Sequence, residues 1–478
     1  MFNISVFISG EKRNLLLDTA EKAVKMTLGL GAEYADARAE QIHLTSIRLT
    51  NERFEQAISG LDQGLGIRVL YKGAWGFSST TSLEPKNIKT VAETAFKTAK
   101  ATSKVIMEKT TLYDVKPVKD HVKIKVRQPL TQIGIDKKLK LLLHLSKIVR
   151  NCSPKIVSAN LSYEDSTSQK ATVTSEGTQI RTDTSRALAA VTAVAKGAGK
   201  ITSCRERVGK LAGFELFEKA KTDEIFERAA KRAVGLLKAK PAPSGRYTVI
   251  ADPNLAGVFA HEAVGHGCEA DHVISGESIL EGKLGKKVGA EIVTIFDDST
   301  VEGGWGTQKY DDEGVLTKKR LLIEKGILKG FIHNKETAAK LDMQPNGGAR
   351  AQNFSHRPVV RMSNTYIANG NYTFEEMLKD IDKGVYLKST RGGQVDTAKG
   401  TFQFNAEEAY RIEKGKLTTP LLDVSLSGIT LETLHNIDAV AKDLDWNVGS
   451  CGKSSQSVPV GTASPHIRIR NALVGGRA

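Results

Sequence analysis

A stretch rich in proline, glycine and serine, from Lys240 to Gly245, separates two parts of the chain with different hydrophobic patterns. Residues of this kind at this density interrupt helices and strands, so they are typical of a domain boundary. Before the stretch, helical spacing of apolar residues alternates with short strand-like segments; after it, short strand-like segments alternate with glycine turns. We therefore predict an N-terminal α+β region, residues 1–240, and a C-terminal mainly β domain, residues 246–478.

The N-terminal region contains two similar series of predicted elements, at about 1–105 and 106–240, which suggests two degenerate repeats. The helices are predicted near residues 11–30, 85–102, 137–150 and 223–239. The strands are predicted near 34–40, 45–50, 66–71, 75–79, 155–163, 169–175, 179–183 and 185–195. We expect an α+β fold in which the N-terminal sheet is mixed or antiparallel. The C-terminal region is expected to be largely antiparallel and to carry the helix described below.

Composition excludes several classes of protein. The 478 residues are 40% hydrophobic and 26% charged, which is typical of a globular chain and not of a disordered or fibrous one. The formal net charge of +15 favours acidic partners, but the basic residues are scattered, so a nucleic-acid partner is not expected. No apolar run is long enough to span a bilayer, and no secretory signal is recognised, so we predict a cytoplasmic protein without a membrane partner.

The densest group of metal-ligand residue types lies in the segment His261 to Asp271, which contains the motif HExxxH. Two histidines four residues apart share one face of a helix, but His261 and His266 are five apart and differ by about 140° in a regular α-helix. Both side chains reach one ion only if the helix is distorted, by a π-bulge or by ending there. Gly265 and Gly267 flank His266, where such a distortion costs least.

A hydrolytic zinc site needs three protein ligands and an open position for water, so a third ligand must exist. The candidates by residue type are Cys268, Glu269, Asp271, His272 and Cys451. Cys268 follows His266 too closely to reach the same ion from a helix. Cys451 lies in a glycine-rich loop, and from the residues alone it ranks level with Glu269.

Several motifs, in the same order and over essentially the whole chain, resemble the TldD/PmbA family of metalloproteases. The motifs are His261–Asp271, Asp311–Gly314 with Leu322–Gly326, Arg361–Tyr366, Cys451–Lys453 with Val458–Gly461, and in the N-terminal region Gly66–Val69 and Gly73–Phe77. The family has two branches: TldD-like subunits keep HExxxH, and PmbA-like (TldE) subunits lack it. This chain is similar to the TldD branch.

The resemblance implies one Zn²⁺ per chain, bound by His261, His266 and Cys451, with Glu262 as the catalytic carboxylate. It also implies a dimer, either a homodimer or a heterodimer with a PmbA/TldE-like subunit, and hydrolysis of short or unfolded peptides held in an extended form. Cys268 departs from the usual pattern, in which an apolar residue is expected, and adds a second thiol near the site.

Other residues are candidates for supporting roles by type alone. Glu269 or Asp271 would orient the histidines, and the sequence does not choose between them. His272, His356 and Arg357 are candidates for electrophilic help or substrate contact. Two other functions remain open: a metal-dependent amidase acting on modified peptides, which would use the same groups, and a non-catalytic, basic, nucleic-acid-associated regulator.

Overall fold

The computed structural model describes residues 10–218 and 220–476. Its α-helices are α1 (Gly10–Gly29), α2 (Pro85–Thr102), α3 (Ile135–Asn151), α4 (Ala220–Leu236), α5 (Pro253–Phe259), α6 (Ala270–Ile274), α7 (Lys335–Lys340), α8 (Phe374–Lys379) and α9 (Thr430–His435). Short 3₁₀ turns occur at Leu130–Gln132, Phe214–Phe217 and His266–Cys268, and a π-helix at Ala260–Gly265.

The strands fall into an N-terminal and a C-terminal set. The N-terminal set is β1 (Tyr34–Thr50), β2 (Arg53–Tyr71), β3 (Ala74–Thr80), β4 (Lys119–Lys123), β5 (Ile156–Thr174), β6 (Gln179–Gly197) and β7 (Lys200–Lys210). The C-terminal set is β8 (Lys240–Pro241), β9 (Gly245–Ala251), β10 (Ile295–Asp298), β11 (Lys319–Glu324), β12 (Ile327–Leu328), β13 (Ala349–Arg350), β14 (Val359–Val360), β15 (Asn364–Ile367), β16 (Lys383–Asp396), β17 (Thr401–Glu413), β18 (Lys416–Leu422), β19 (Ser425–Ile429), β20 (Ile437–Val440), β21 (Asp445–Lys453), β22 (Gln456–Ser464) and β23 (Ile467–Gly475). This confirms the predicted α+β class.

The N-terminal strands form one mixed sheet in the order β3-β2-β1-β5-β6, with β4 and β7 both paired to β6. Only the β4–β6 pairing is parallel among these described strands. The order helix, three strands, helix occurs twice in this region, as α1-β1-β2-β3-α2 and as α3-β5-β6-β7-α4. The two units meet where β1 pairs with β5. The internal duplication itself stays a prediction.

Four strands of this sheet are longer than the sequence predicted. Strand β2 begins at Arg53, ahead of the predicted range 66–71. The expected breaks within β1, β5 and β6 do not occur; β1 alone runs for 17 residues. The polar stretch Gln41–His43 lies inside β1, where it pairs with β2 on one side and with β5 on the other. Backbone hydrogen bonds to two neighbouring strands stabilise β1 here. The strand therefore continues although the alternation of polar and apolar residues is interrupted.

The C-terminal region contains an eight-stranded sheet and a six-stranded sheet that share one hydrophobic core. Both are largely antiparallel, with parallel pairs such as β9–β16 and β15–β22. Helix α5 contacts β16 of the first sheet and β22 of the second, so it lies between them. This position brings the residues that follow α5 next to β21, the edge strand of the six-stranded sheet.

Buried ion pairs join the two regions. Arg68 of β2 contacts Glu313 at 2.8 Å, and Lys170 of β5 contacts Asp312 at 2.5 Å. The segment predicted as a boundary contributes strand β8, which pairs with β18, while the domain limits at residues 240 and 246 stay a prediction. In the described part of the chain, no helix combines the length and the apolar composition that a bilayer span requires.

Candidate metal centre

The local sequence produces the helix distortion that the HExxxH spacing requires. Strand β9 ends at Ala251, and α5 begins directly after Asp252. The Asp252 side chain accepts a hydrogen bond from the Leu255 backbone N–H at 2.8 Å and caps α5, with Pro253 at the first helical position. The helix then widens into the π-helix Ala260–Gly265, and the backbone N–H of His266 donates to the carbonyl of His261. A bond that spans five residues is the π-helical pattern, so the predicted distortion is confirmed.

Three potential metal ligands converge at this turn. One donor atom each from His261, His266 and Cys451 lies within 4.8 Å of the other two. The Sγ of Cys451 is 3.4 Å from Nε2 of His266, and the two imidazole rings meet edge to face with centroids 5.2 Å apart. Cys451 reaches the helix because β21 pairs with β22, which in turn contacts α5 and the π-helix.

The chemistry of these groups fits a zinc ion. Imidazole nitrogens and cysteine thiolates are both zinc ligands, and three such ligands leave a fourth position open for water. Nδ1 of His261 is buried and has no hydrogen-bond partner among the described residues, which suits a nitrogen that binds a metal. Burial alone would raise the pKa of the Cys451 thiol, but hydrogen bonding to His261 and His266 outweighs it and lowers that pKa to about 4. The thiolate is the form of cysteine that binds metal ions.

Glu269 occupies the opposite side of His266 from Cys451. Its Oε2 lies 2.9 Å from Nδ1 of His266 and accepts a hydrogen bond from Nζ of Lys453 at 3.1 Å. Burial opposes ionisation of this carboxyl, yet the charges of His266 and Lys453 lower its pKa to about 2. A carboxylate in this place orients the ring and leaves Nε2 free to face Cys451. Glu269 therefore lies at the Nδ1 side of the ring and Cys451 at the Nε2 side.

Asp271 and His272 lie beside Glu269 in a second group of potential metal ligands. Oδ1 of Asp271 accepts from Lys453 Nζ at 2.8 Å, and Nδ1 of His272 is 3.3 Å from the carbonyl of His266. The ammonium of Lys453 thus supplies the positive charge that these carboxylates need. Asp271 forms no hydrogen bond with His266, which separates its role from that of Glu269.

Glu262 stands at the accessible side of the centre. Its Oε2 is 3.8 Å from Nε2 of His266, and a third of its side chain, 33%, is exposed to solvent. The neighbouring residues His261 and Ala263 are buried, so Glu262 is the solvent-accessible residue of these three. A carboxylate near the metal ligands but outside their group can exchange a proton with water.

The second thiol lies elsewhere. Cys268 is completely buried in the hydrophobic core of the C-terminal region, and burial raises its pKa far above the usual value. It does not belong to the converging group of His261, His266 and Cys451.

His356 and Arg357 are held by the segment before β14. Nδ1 of His356 is 2.8 Å from Oδ1 of Asn353, and the carbonyl of Arg357 accepts a hydrogen bond from Gln456. The described hydrogen bonds and ion pairs do not connect either side chain to the three converging residues. Their side chains are half-buried and exposed, respectively.

Two contacts of the centre were missed by sequence reasoning. The first is Lys453, which the sequence shows only as part of the motif Cys451–Lys453. The two residues are two positions apart in β21, so their side chains lie on the same face of the strand. Arg361 donates a hydrogen bond to the backbone carbonyl of Cys451 and is fully buried. Its position in the motif Arg361–Tyr366 was the available signal, but its partner is 90 residues away.

A helix with a π-turn, an HExxxH motif and a thiolate from a neighbouring strand define a candidate metallopeptidase. Family models described as PmbA/TldA metallopeptidase domain 1, central domain and C-terminal domain match residues 35–99, 128–237 and 244–476. The chain therefore belongs to the PmbA/TldD metallopeptidase family.

Individual proteins agree with this assignment. A metalloprotease of Methanothermobacter thermautotrophicus is 43% identical, over 93% of this chain and 96% of its own length. A zinc metalloprotease TldD homolog of Saccharolobus solfataricus is 30% identical, over 95% and 99%. The crystal structure of TldE from Thermococcus kodakarensis has the same fold, with a TM-score of 0.80 over 96% of this chain and 100% of that one, at 19% identity.

Proposed function

We propose that this chain is a zinc-dependent peptidase that hydrolyses short or unfolded peptides. The observation that carries the proposal is the convergence of His261, His266 and Cys451 within 4.8 Å, with Glu262 beside them. The name of the Saccharolobus solfataricus relative, a zinc metalloprotease, supports the choice of metal.

In this proposal, His261, His266 and Cys451 hold one zinc ion. When bound, the ion lowers the pKa of a coordinated water and polarises the carbonyl to be cleaved. Glu262 accepts a proton from the attacking water and donates it to the leaving amine. Glu269 holds His266 in position through its Nδ1 atom, 2.9 Å away.

The chain acts in this proposal as one subunit of a dimer in the cytoplasm. The likeness to TldE from Thermococcus kodakarensis supports a partner of that type, because both chains share one fold. A homodimer is the other form that the proposal admits.

The central test is Glu262→Gln, which removes the base but keeps the size of the side chain. We expect the zinc content to stay unchanged and the cleavage rate of an unfolded fluorogenic peptide to fall by about 10²- to 10⁴-fold. Glu277→Gln, at an exposed glutamate after α6, is the matched control and is expected to keep the wild-type rate. Wild-type turnover by zinc-loaded Glu262→Gln would exclude the proposed mechanism.

Other substrates and a binding measurement separate the other functions considered. An amidase would hydrolyse small amides and modified peptides while leaving ordinary unfolded peptides intact. A nucleic-acid-associated regulator would bind duplexes with steep salt dependence and would keep its function in a His261→Ala variant.

A further inference from the structure

A cavity of about 410 Å³ lies between the N-terminal sheet and the C-terminal region. Arg38, Lys170 and Arg186 line it from β1, β5 and β6, and Asp312 and Arg350 line it from the other side. Its volume falls within the range of about 300–1,000 Å³ that is usual for small-ligand sites. Among the described residues that form its wall, none is a proposed metal ligand, so this is a separate site.

Two arginines of the cavity have few polar partners among the surrounding residues. The Arg186 guanidinium makes a single hydrogen bond, from Nε to the carbonyl of Trp305 at 3.4 Å, although it has five N–H donors. Arg350 is buried and donates to backbone carbonyls, including that of Pro459 at 2.8 Å. Neither forms an ion pair with a described residue. Burial lowers the pKa of Arg186 to about 10 and, together with the charge of Arg186, that of Arg350 to about 9.

Further donors in the cavity lack partners. Arg38 is 1% exposed and donates to the backbone carbonyl of Asn353 at 3.3 Å, but its Nε has no partner among the described residues. Nε2 of Gln308, another wall residue, is likewise buried without one. Buried donors without acceptors are costly, so this wall is suited to a ligand that brings acceptor oxygens.

The acids of the cavity form no ion pair with Arg186 or Arg350 among the described residues. Asp312 is engaged by Lys170 at 2.5 Å and by the backbone N–H of Ala351 at 2.8 Å. Burial raises the pKa of Glu40, and burial and the neighbouring carboxylate of Glu313 raise that of Asp311 to about 8. Glu164 and Asp165 are the remaining acids of the wall, and Asp165 pairs at 2.6 Å with Lys138, which is outside the wall.

We propose that this cavity binds a carboxylate through Arg186 and Arg350, and that the carboxylate is the free C-terminus of a peptide. Guanidinium groups bind carboxylates with paired, charge-assisted hydrogen bonds. A phosphate dianion fits less well, because Asp312, ionised in its pair with Lys170, would repel the second charge. Oε2 of Glu40 is buried without a partner and can accept a peptide N–H.

The choice of a peptide rests on the proposed function and on the shared wall between the two sites. Ser450 lines the cavity, and the next residue, Cys451, offers its Sγ to the metal centre. Consecutive side chains of a strand point to opposite faces, so β21 separates the two sites by one strand. A peptide terminus held in the cavity therefore lies next to the strand that carries a proposed metal ligand.

The test is binding of an N-acetylated tetra-alanine peptide, as its free acid and as its C-terminal amide, to the full-length Glu262→Gln chain by isothermal titration calorimetry. We expect the acid to bind at least tenfold more tightly. Arg186→Gln is expected to remove this preference, and Arg246→Gln, at an exposed arginine paired with Glu432, to keep it. Equal affinity for acid and amide, or a preference that survives Arg186→Gln, would overturn the proposal.

Two further probes identify the source of the charge. A peptide amide that ends in glutamate is expected to bind as weakly as the alanine amide; binding as tight as the acid would overturn the assignment to the C-terminus. Inorganic phosphate is expected to compete less well than acetate, and the reverse order would overturn the carboxylate assignment. If Arg186→Gln does not fold, the comparison of acid and amide in the Glu262→Gln chain decides. Equal affinities alongside zinc-dependent cleavage by the wild-type chain would remove this inference and leave the proposed function intact.

Discussion

Replacing Glu269 by glutamine is expected to weaken zinc binding by about 10- to 100-fold. The Glu269 carboxylate is fully buried and contacts both Nδ1 of His266, at 2.9 Å, and Nζ of Lys453, at 3.1 Å. A hydrogen bond to a charged group contributes about 1.5–3 kcal/mol. A tenfold change in affinity corresponds to about 1.4 kcal/mol of binding free energy. Losing that contribution at His266 therefore lowers the affinity for zinc by roughly 10- to 100-fold.

The assay is competition for zinc between the protein and a chelator of known affinity, with the melting temperature measured to verify folding. Asp271→Asn is the matched control, because Asp271 contacts Lys453 at 2.8 Å but not His266, and its side chain is 34% exposed. A partly exposed ion pair contributes about 0–1 kcal/mol, so the control is expected to change affinity by less than about fivefold. The reasoning fails if Glu269→Gln binds zinc as the wild type does, or if both variants lose the same affinity.

Gly265→Ala would place a Cβ 2.0 Å from Sδ of Met362, so we expect a loss of about 1–3 kcal/mol in stability by chemical denaturation. Gly267→Ala, whose Cβ would lie 3.3 Å from Leu280, is the control; equal losses would contradict the packing argument. Burial and the charge of Lys318 lower the pKa of His333 from 6.5 to about 4. Between these values the unfolded chain binds a proton that the folded chain does not, so stability falls as pH falls through this window. His333→Gln is expected to reduce the loss between pH 7 and pH 5 by about 2 kcal/mol, and an unchanged loss would show that this histidine does not titrate as described.

The helices were predictable from the sequence because their signals are local. Apolar spacing placed α1 to α4, and the pair Asp252 and Pro253 placed the start of α5, whose cap the structure confirms. Strand lengths were not predictable in the same way. The continuity of β1 and β5 depends on neighbours that lie far away in the chain, so alternation of polar and apolar residues broke where the strands did not. The short helices α6 and α9, of 5 and 6 residues, carry too few residues to show a period.

The candidate centre also combines features that the sequence predicts with features that depend on long-range contacts. The π-turn was predictable, because a five-residue spacing of histidines and two glycines are local features. The approach of Cys451 to His266 follows from sheet pairing across 185 residues, and from the residues alone Glu269 was an equal candidate. Only the fold shows that Glu269 meets Nδ1 of His266 while Cys451 meets Nε2. The ion pair of Lys453 with Glu269 depends on the same long-range approach.

The most direct test of the metal centre is the metal content of the purified chain, measured by elemental analysis for the wild type, Cys451→Ser and Cys268→Ser, together with cleavage of an unfolded peptide. Both cysteines are buried, but only Cys451 lies with His261 and His266. We predict about one zinc per chain, lost together with peptide cleavage in Cys451→Ser and kept in Cys268→Ser. A wild-type chain that binds no zinc, or a Cys451→Ser variant that keeps both zinc and activity, would contradict the proposed centre.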